Sequence, residues 1–332
     1  MDSHPAVLDA FLNASPRGLA RAITLCEAGM GAPLISALHE RVGRALTVGL
    51  TGPPGVGKST LTGALIRKAR TLELRVGVVS VDPSSPFSRG ALLGDRIRLT
   101  EHFVDPGVFI RSMASRGHLG GLAGATADAV ALMDAFGFDL VIVETVGVGQ
   151  SEIEIADIAD TVIVALQPGS GDSVQTLKAG ILEIADIFVV NKADHPNALQ
   201  LQKEIRSMLE MLEYSGWQAR LLATQALTGT GIDELWEAIS EHASYLRESG
   251  ELLRKRRFAF ARRVRQLVVG RIEGVLDLAL SGIVPDGTDP SREDPYVVAE
   301  RVVKEFLREP LPPRVSIFTP RRGRAHVKGG IA

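Results

Sequence analysis

The sequence predicts an α/β protein: a doubly wound, mainly parallel sheet with a helical N-terminal extension and a helical C-terminal arm. Three observations carry that expectation. Short Val/Ile/Leu-rich runs alternate with helical stretches through the middle of the chain, the pattern of strands buried on both faces. The run Ala45–Leu50 ends in a Gly-rich turn that opens a helix over Leu61–Leu72, and a second run, Val76–Val81, follows after a linker of about three residues. A strand, a helix and a strand this close form a βαβ unit with parallel strands. After about Ser249 the apolar runs stop and long charged helical patterns take over.

The elements follow in order. Gly18–Glu27 and Pro33–Leu38 place apolar residues at helical spacing, with Gly29 and Gly31 between them. Beyond the first two runs, buried strands are expected at Val108–Arg111, Leu140–Val143, Thr161–Leu166, Ile187–Val190 and Ala219–Ala223. Thr126–Phe136, Thr176–Ile184 and Leu199–Leu212 read as the helices between them. Glu251–Leu280 and Asp294–Leu307 read as C-terminal helices, and the Pro- and Arg-rich end as a flexible basic tail. The expected organisation is a helical extension over 1–45, the α/β domain over 46–245, a helical arm over 246–309 and the tail over 310–332.

Composition narrows the function classes. The 332 residues carry 37 Lys and Arg against 39 Asp and Glu, so a chain that wraps nucleic acid or coats an acidic membrane is not expected. Apolar residues at 45% and charged ones at 23% are ordinary globular values, which excludes wholesale disorder. Cys26 is the one cysteine; it excludes an internal disulfide or multi-thiolate metal site and reads as a small buried side chain. No apolar run approaches the ~18–20 residues of a membrane helix. The N-terminus lacks the basic start and apolar core of a secretory signal. A cytoplasmic protein is expected.

The chemistry is concentrated after the first strand. Gly52-Pro53-Pro54-Gly55-Val56-Gly57-Lys58-Ser59 matches G-x-x-x-x-G-K-[ST], and it lies between a strand and a helix as that motif requires. Glycines let the backbone turn its N–H groups onto phosphates, and the helix N-terminus adds positive potential. Lys58 is expected on the β- and γ-phosphates, and the Ser59 hydroxyl on Mg²⁺. Asp82 and Glu144 follow strand runs, and so belong at the carboxyl edge of the sheet where ligands bind. Asp95 lies in the loop-rich stretch between those strands. A turn or cap carboxylate is the plainer alternative for each acid. Glu144-Thr145-Val146-Gly147 has the acidic-x-x-Gly form that can hold a metal-bound water and sense a γ-phosphate.

Asn191-Lys192-Ala193-Asp194 directly follows a strand and matches N-K-x-D. An ionised Asp194 offers two acceptors to the N1–H and N2–H₂ donors of guanine; adenine lacks that donor pair. Asn191 can support the loop, and the Lys192 stem can lie over the base. Gln225-Ala226-Leu227, after the last strand, can offer backbone N–H groups to the base carbonyl, or be an ordinary strand-to-helix loop.

With these motifs in order, the chain resembles the methylmalonyl-CoA mutase-associated GTPases, the MeaB/ArgK-type family of P-loop proteins. The resemblance covers about residues 17–305. It is carried by Leu19–Thr24, the loop Gly52–Thr60, Val81–Pro86, Gly94–Arg98, Arg116–Leu122, Glu144–Glu152, Pro168–Asp172, Gln175–Gly180, Asn191–Asp194 and Asp294–Tyr296. It implies GTP/GDP and Mg²⁺ as ligands, with the metal on Ser59 and with Asp82, Asp95 and Glu144 around it. It also implies a chaperone that gates adenosylcobalamin loading into an acyl-CoA mutase and protects that enzyme. Switch-like segments then map to Asp82–Asp95, Gly147–Glu152 and Gly169–Gly180, where Gln175 and Lys178 match positions that respond to the mutase. The family's C-terminal helices form a homodimer, which suits Glu251–Leu280. Members commonly carry Ser-Ala where this chain has Gln225-Ala226, so any hydroxyl role there is lost.

Asp82 or Asp95 is expected to orient the attacking water, and Lys178 to add charge when the mutase binds. His118 reads as a packing or partner contact rather than an acid/base. The basic run Arg254–Arg257 with Arg262, Arg263 and Arg265 reads as a solvated helix face or dimer contact, since few aromatic residues accompany it. A metal-insertion GTPase is the nearest rival, but it would carry a His-rich stretch or Cys pair. A nucleotidase of amino-acid transport is the second, and a dimeric scaffold that never hydrolyses its nucleotide the third.

Overall fold

A computed structural model describes residues 4–83, 96–115, 121–145, 154–169, 181–211, 216–283 and 294–308. Seven strands form one sheet: β1 (Leu46–Thr51), β2 (Val76–Pro83), β3 (Val108–Ser115), β4 (Leu140–Thr145), β5 (Thr161–Leu166), β6 (Ile187–Asn191) and β7 (Arg220–Thr224). Their order is β3-β2-β4-β1-β5-β6-β7, and every neighbouring pair is parallel. All seven expected strands are present, and β1 sits at the centre. β1 and β2 run parallel as expected, with β4 inserted between them.

The helices are α1 (His4–Leu12), α2 (Pro16–Glu27), α3 (Ala32–Leu38), α4 (Lys58–Thr71), α5 (Gly121–Phe136), α6 (Ala198–Glu210), α7 (Ile232–Glu248), α8 (Glu251–Ile283) and α9 (Pro295–Arg308). Of the helix expected at Thr176–Ile184, only the turn Leu182–Ile184 lies within the described residues. Two compact units are present, Met1–Leu267 and Val268–Ala332.

Strand alternation divides the core of the first unit into two layers. Val141, Val143, Val162, Val164, Phe188 and Val190 face one way and pack with residues of α1, α2, α3, α5 and α6. Leu140, Ile142, Ile163, Ala165, Ile187 and Val189 face the other way, onto α4 and α7. Both faces are therefore covered, which is why β4 and β5 are buried along their whole length. The extension is part of this core: Arg111 of β3 bonds the Thr24 hydroxyl and the Glu27 carboxylate of α2.

The basic run is in part the solvated face expected, with Arg254, Arg257 and Arg265 exposed. The sequence did not announce that other residues in the first turns of α8 are ion-paired within the unit. Lys255 Nζ donates to Asp186 Oδ2 at 3.1 Å and to the Asp160 carbonyl at 3.0 Å. Arg256 forks onto Asp160, Arg262 meets Asp157 at 2.5 Å, and Arg263 meets Asp128 at 2.9 Å. Asp160 and Asp186 precede β5 and β6, so the first turns of α8 lie at the amino edge of the sheet. Arg256 also donates to the carbonyls of Gly43 and Ala45, just before β1.

Candidate nucleotide site

β1 delivers the chain to the carboxyl edge of the sheet, and the loop 52–57 turns there into α4. Gly52 has φ +137°, and a Cβ on it would stand 2.1 Å from the Ala165 carbonyl oxygen of β5. Gly57, at φ +94°, caps α4, and a Cβ there would stand 2.6 Å from Asn191 Nδ2. Larger residues would break both approaches. Val56 is buried beneath the loop.

Lys58 is only 7% exposed. Its ammonium donates to the carbonyls of Gly52 at 2.7 Å and Pro53 at 3.0 Å. The charge is thus held on the loop's own backbone.

At the start of α4, the Ser59 hydroxyl donates to Glu144 Oε1 at 2.6 Å, and one turn on the Thr62 hydroxyl donates to Oε2 at 2.9 Å. Glu144 is 6% exposed and is the penultimate residue of β4, the neighbour of β1. Thr145 beside it donates to the Thr51 hydroxyl at 2.9 Å. These are hard oxygen donors, and a hydroxyl with a buried carboxylate is a set that suits Mg²⁺. Thr62 was not expected from the sequence. Its signal was present, since position i+3 shares a helix face with Ser59.

The base-reading loop is tied to the phosphate loop. Asn191 Nδ2 donates to the Val56 carbonyl at 2.8 Å, while its Oδ1 accepts from the Thr224 hydroxyl at 3.1 Å and the Ala226 amide at 3.2 Å. One buried side chain therefore joins three loops. Lys192, at φ +58°, donates to the Gly55 carbonyl at 2.9 Å and to Gln167 Oε1 at 2.6 Å. Asp194 is exposed in the same loop. In the 225–227 loop, the Gln225 amide donates to the Thr230 carbonyl and the Ala226 amide to Asn191. Leu227 is 87% exposed.

Asp82 is the penultimate residue of β2, and only its backbone is described. Asp95, His118, Gln175 and Lys178 lie outside the described residues, as do the segments Gly147–Glu152 and most of Gly169–Gly180. Just after the first of these segments, Glu154 and Asp157 are held above the usual carboxylate range. Burial is the main cause for both, opposed by Arg262. Ile155 between them is buried against Gly49 of β1, where a Cβ would stand 2.7 Å from its side chain. Among the described residues no helix is long and apolar enough to cross a membrane.

Comparison with known proteins agrees with this geometry. Residues 19–279 match the family described as methylmalonyl Co-A mutase-associated GTPase MeaB. A protein of Pyrococcus horikoshii named as a GTPase is 46% identical over 299 residues, covering 88% of this chain and 94% of its own. GTPase ArgK of Escherichia coli is 41% identical over 249 residues, covering 70% of this chain and 74% of its own. A crystal structure described as an LAO/AO transport system kinase superimposes with a TM-score of 0.68 at 28% identity, covering 93% of this chain and 100% of that one.

Proposed function

The chain belongs to the methylmalonyl-CoA mutase-associated GTPase MeaB family and is a hydrolase acting on GTP; from that premise we propose that its GTP turnover gates adenosylcobalamin loading into an acyl-CoA mutase and protects that enzyme. The observation that carries the nucleotide reading is Asn191, which binds the N-K-x-D loop to the phosphate loop through Val56.

Each part of the site then has a task. The loop amides and the α4 N-terminus receive the phosphates. The Lys58 ammonium, already at the loop, turns toward the β- and γ-phosphates. Asp194 pairs with the two guanine donors, and the Lys192 stem covers the base. The Leu227 amide, with Gln225 and Ala226 beside it, faces the base carbonyl. Ser59 and Glu144 would hold Mg²⁺, joined by Asp82 and Asp95. When bound, the ion neutralises charge that develops on the phosphoryl oxygens. Asp82 or Asp95 orients the attacking water, and Lys178 adds charge once the mutase docks.

We place the dimer on α8, where Phe260, Val264 and Leu267 are exposed and lie on one side of the helix by their spacing. An apolar face of this kind calls for a partner, and a second copy is that partner. The site of action is the cytoplasm. The similarity to a transport system kinase favours one other reading, a nucleotidase of amino-acid transport. Its nucleotide would still be GTP, because an ionised Asp194 leaves an adenine unpaired.

The test is GTP hydrolysis by the purified chain, alone and with methylmalonyl-, ethylmalonyl- or isobutyryl-CoA mutase. One of these is expected to raise kcat at least about tenfold; a cationic group supplied to the phosphates can contribute up to about 10³–10⁵. Lys58→Ala abolishes both rates. If no mutase changes the rate or binds the chain, the chaperone role is wrong.

A further inference from the structure

Gln167 was not among the residues the sequence singled out. It follows β5, whose Ala165 carbonyl backs directly onto Gly52 of the phosphate loop. Its Oε1 accepts from Lys192 Nζ at 2.6 Å, and the same ammonium donates to the Gly55 carbonyl at 2.9 Å. Its Nε2 is the nearest atom, at 3.8 Å, to where a Cβ on Gly55 would stand. A lysine donates only, so the carboxamide oxygen must face it.

Lys192 is exposed and carries a left-handed backbone, φ +58°. An exposed lysine stem ordinarily samples many rotamers, and ordering it on a ligand costs entropy. Two acceptors on one ammonium remove most of that freedom beforehand. The Gly55 carbonyl alone fixes the distance to the loop. Gln167 adds a second point, which fixes the direction of the stem.

We propose that Gln167 is a positioning residue for guanine-nucleotide binding: it holds the Lys192 stem in the orientation that covers the base. The proposal rests on the guanine reading of the N-K-x-D loop. Leu at 167 would keep the bulk and lose the acceptor; Glu would keep the acceptor.

The experiment is GDP titration by calorimetry on the full chain, with Gln167→Leu, Gln167→Glu, Lys192→Met and the Gln167→Leu/Lys192→Met double variant. Gln167→Leu is expected to raise the GDP Kd about fivefold, the loss of one charge-assisted bond. In the Lys192→Met background the same change alters Kd by less than about twofold, since residues that act through one another are not additive. Gln167→Glu stays within about twofold of wild type. Thermal midpoints of nucleotide-free wild type, Gln167→Leu, Lys192→Met and the double variant add a ligand-free readout, in which non-additive shifts support the Gln167–Lys192 bond. If Gln167→Leu leaves Kd unchanged, or weakens GDP equally with and without Lys192, the proposal is overturned while the guanine site stands. If the wild-type chain takes up no GDP, the guanine reading fails and the proposal with it.

Discussion

Arg256 and Asp160 form a forked ion pair: Nε reaches Oδ1 at 3.0 Å and Nη2 reaches Oδ2 at 2.8 Å. Asp160 is nearly buried, and its Oδ2 also accepts from the Thr47 amide of β1 at 3.1 Å. The hydrogen bonds to Asp160 hold the guanidinium above its ordinary arginine range, against the opposing effect of burial. One residue of α8 thus closes the amino edge of the central strands. Arg256→Ala leaves the Asp160 charge without its cation, a loss of about 3 kcal/mol. For a unit of this size that lowers Tm by roughly 6–12 °C. Arg256→Lys recovers only part of it, because an ammonium cannot make the fork. A scanning-calorimetry Tm equal to wild type for Arg256→Ala would show that the pair is ornamental.

Glu144 serves two hydroxyls at once, Ser59 and Thr62. Glu144→Gln keeps the volume and removes the charge. GTP turnover is expected to fall at least about a hundredfold, the scale of losing an electrostatic group at a reacting phosphate. GDP affinity in the presence of EDTA should change by less than about threefold. A phosphate-release assay that finds near-normal kcat for this variant removes Glu144 from the metal site.

Asp194 can be tested by exchanging the base it reads. Asp194→Asn replaces one acceptor with a donor, which opposes the guanine N–H pair and suits the C2 carbonyl of xanthine. GTP affinity should fall at least about a hundredfold while XTP affinity rises, because a site built to pair donors strongly rejects the mispaired base. Equal loss for both nucleotides would mean that Asp194 supports the loop rather than touching the base.

What could be read from the residues, and what could not, follows from distance along the chain. The strands β4, β5 and β6 announce themselves because both faces of each are apolar. The phosphate loop and N-K-x-D are legible because each lies within a few consecutive residues. Glu144 could be placed because a strand end fixes which edge of the sheet it occupies. By contrast, Arg263 meets Asp128 across 135 positions, and Lys255 meets Asp186 across 69. Nothing local marks such pairs, so a dense basic run reads as solvent-facing. Gln167 is hidden for the same reason, since an ordinary glutamine gains its meaning from Lys192 25 positions away. Helix α7 is different. Leu235, Ala238, Ile239, His242, Ala243 and Leu246 are buried on one helical face, and that spacing was available in the sequence.

The last prediction concerns acid. His242 is buried between the Thr161 hydroxyl, 2.9 Å from Nδ1, and Asp186, 3.3 Å from Nε2. Asp186 also accepts from the Val162 amide at 2.9 Å and from Lys255. Burial alone would raise its carboxyl, but the His242 hydrogen bond and the Lys255 charge outweigh it and hold the group below the ordinary carboxylate range. A depressed folded value means that the unfolded chain takes up the proton first as pH falls. The stabilisation is therefore complete above the unfolded value of about 3.9 and is lost as pH drops through the lower folded value. Asp186→Asn removes the charge at every pH. Its Tm deficit should be full at pH 6 and should shrink steadily below about pH 4, as wild type loses the same contribution. A deficit that stays constant down to pH 3 would show that Asp186 acts through shape and hydrogen bonding alone. The anchoring of α8 by Lys255 would then owe nothing to its charge.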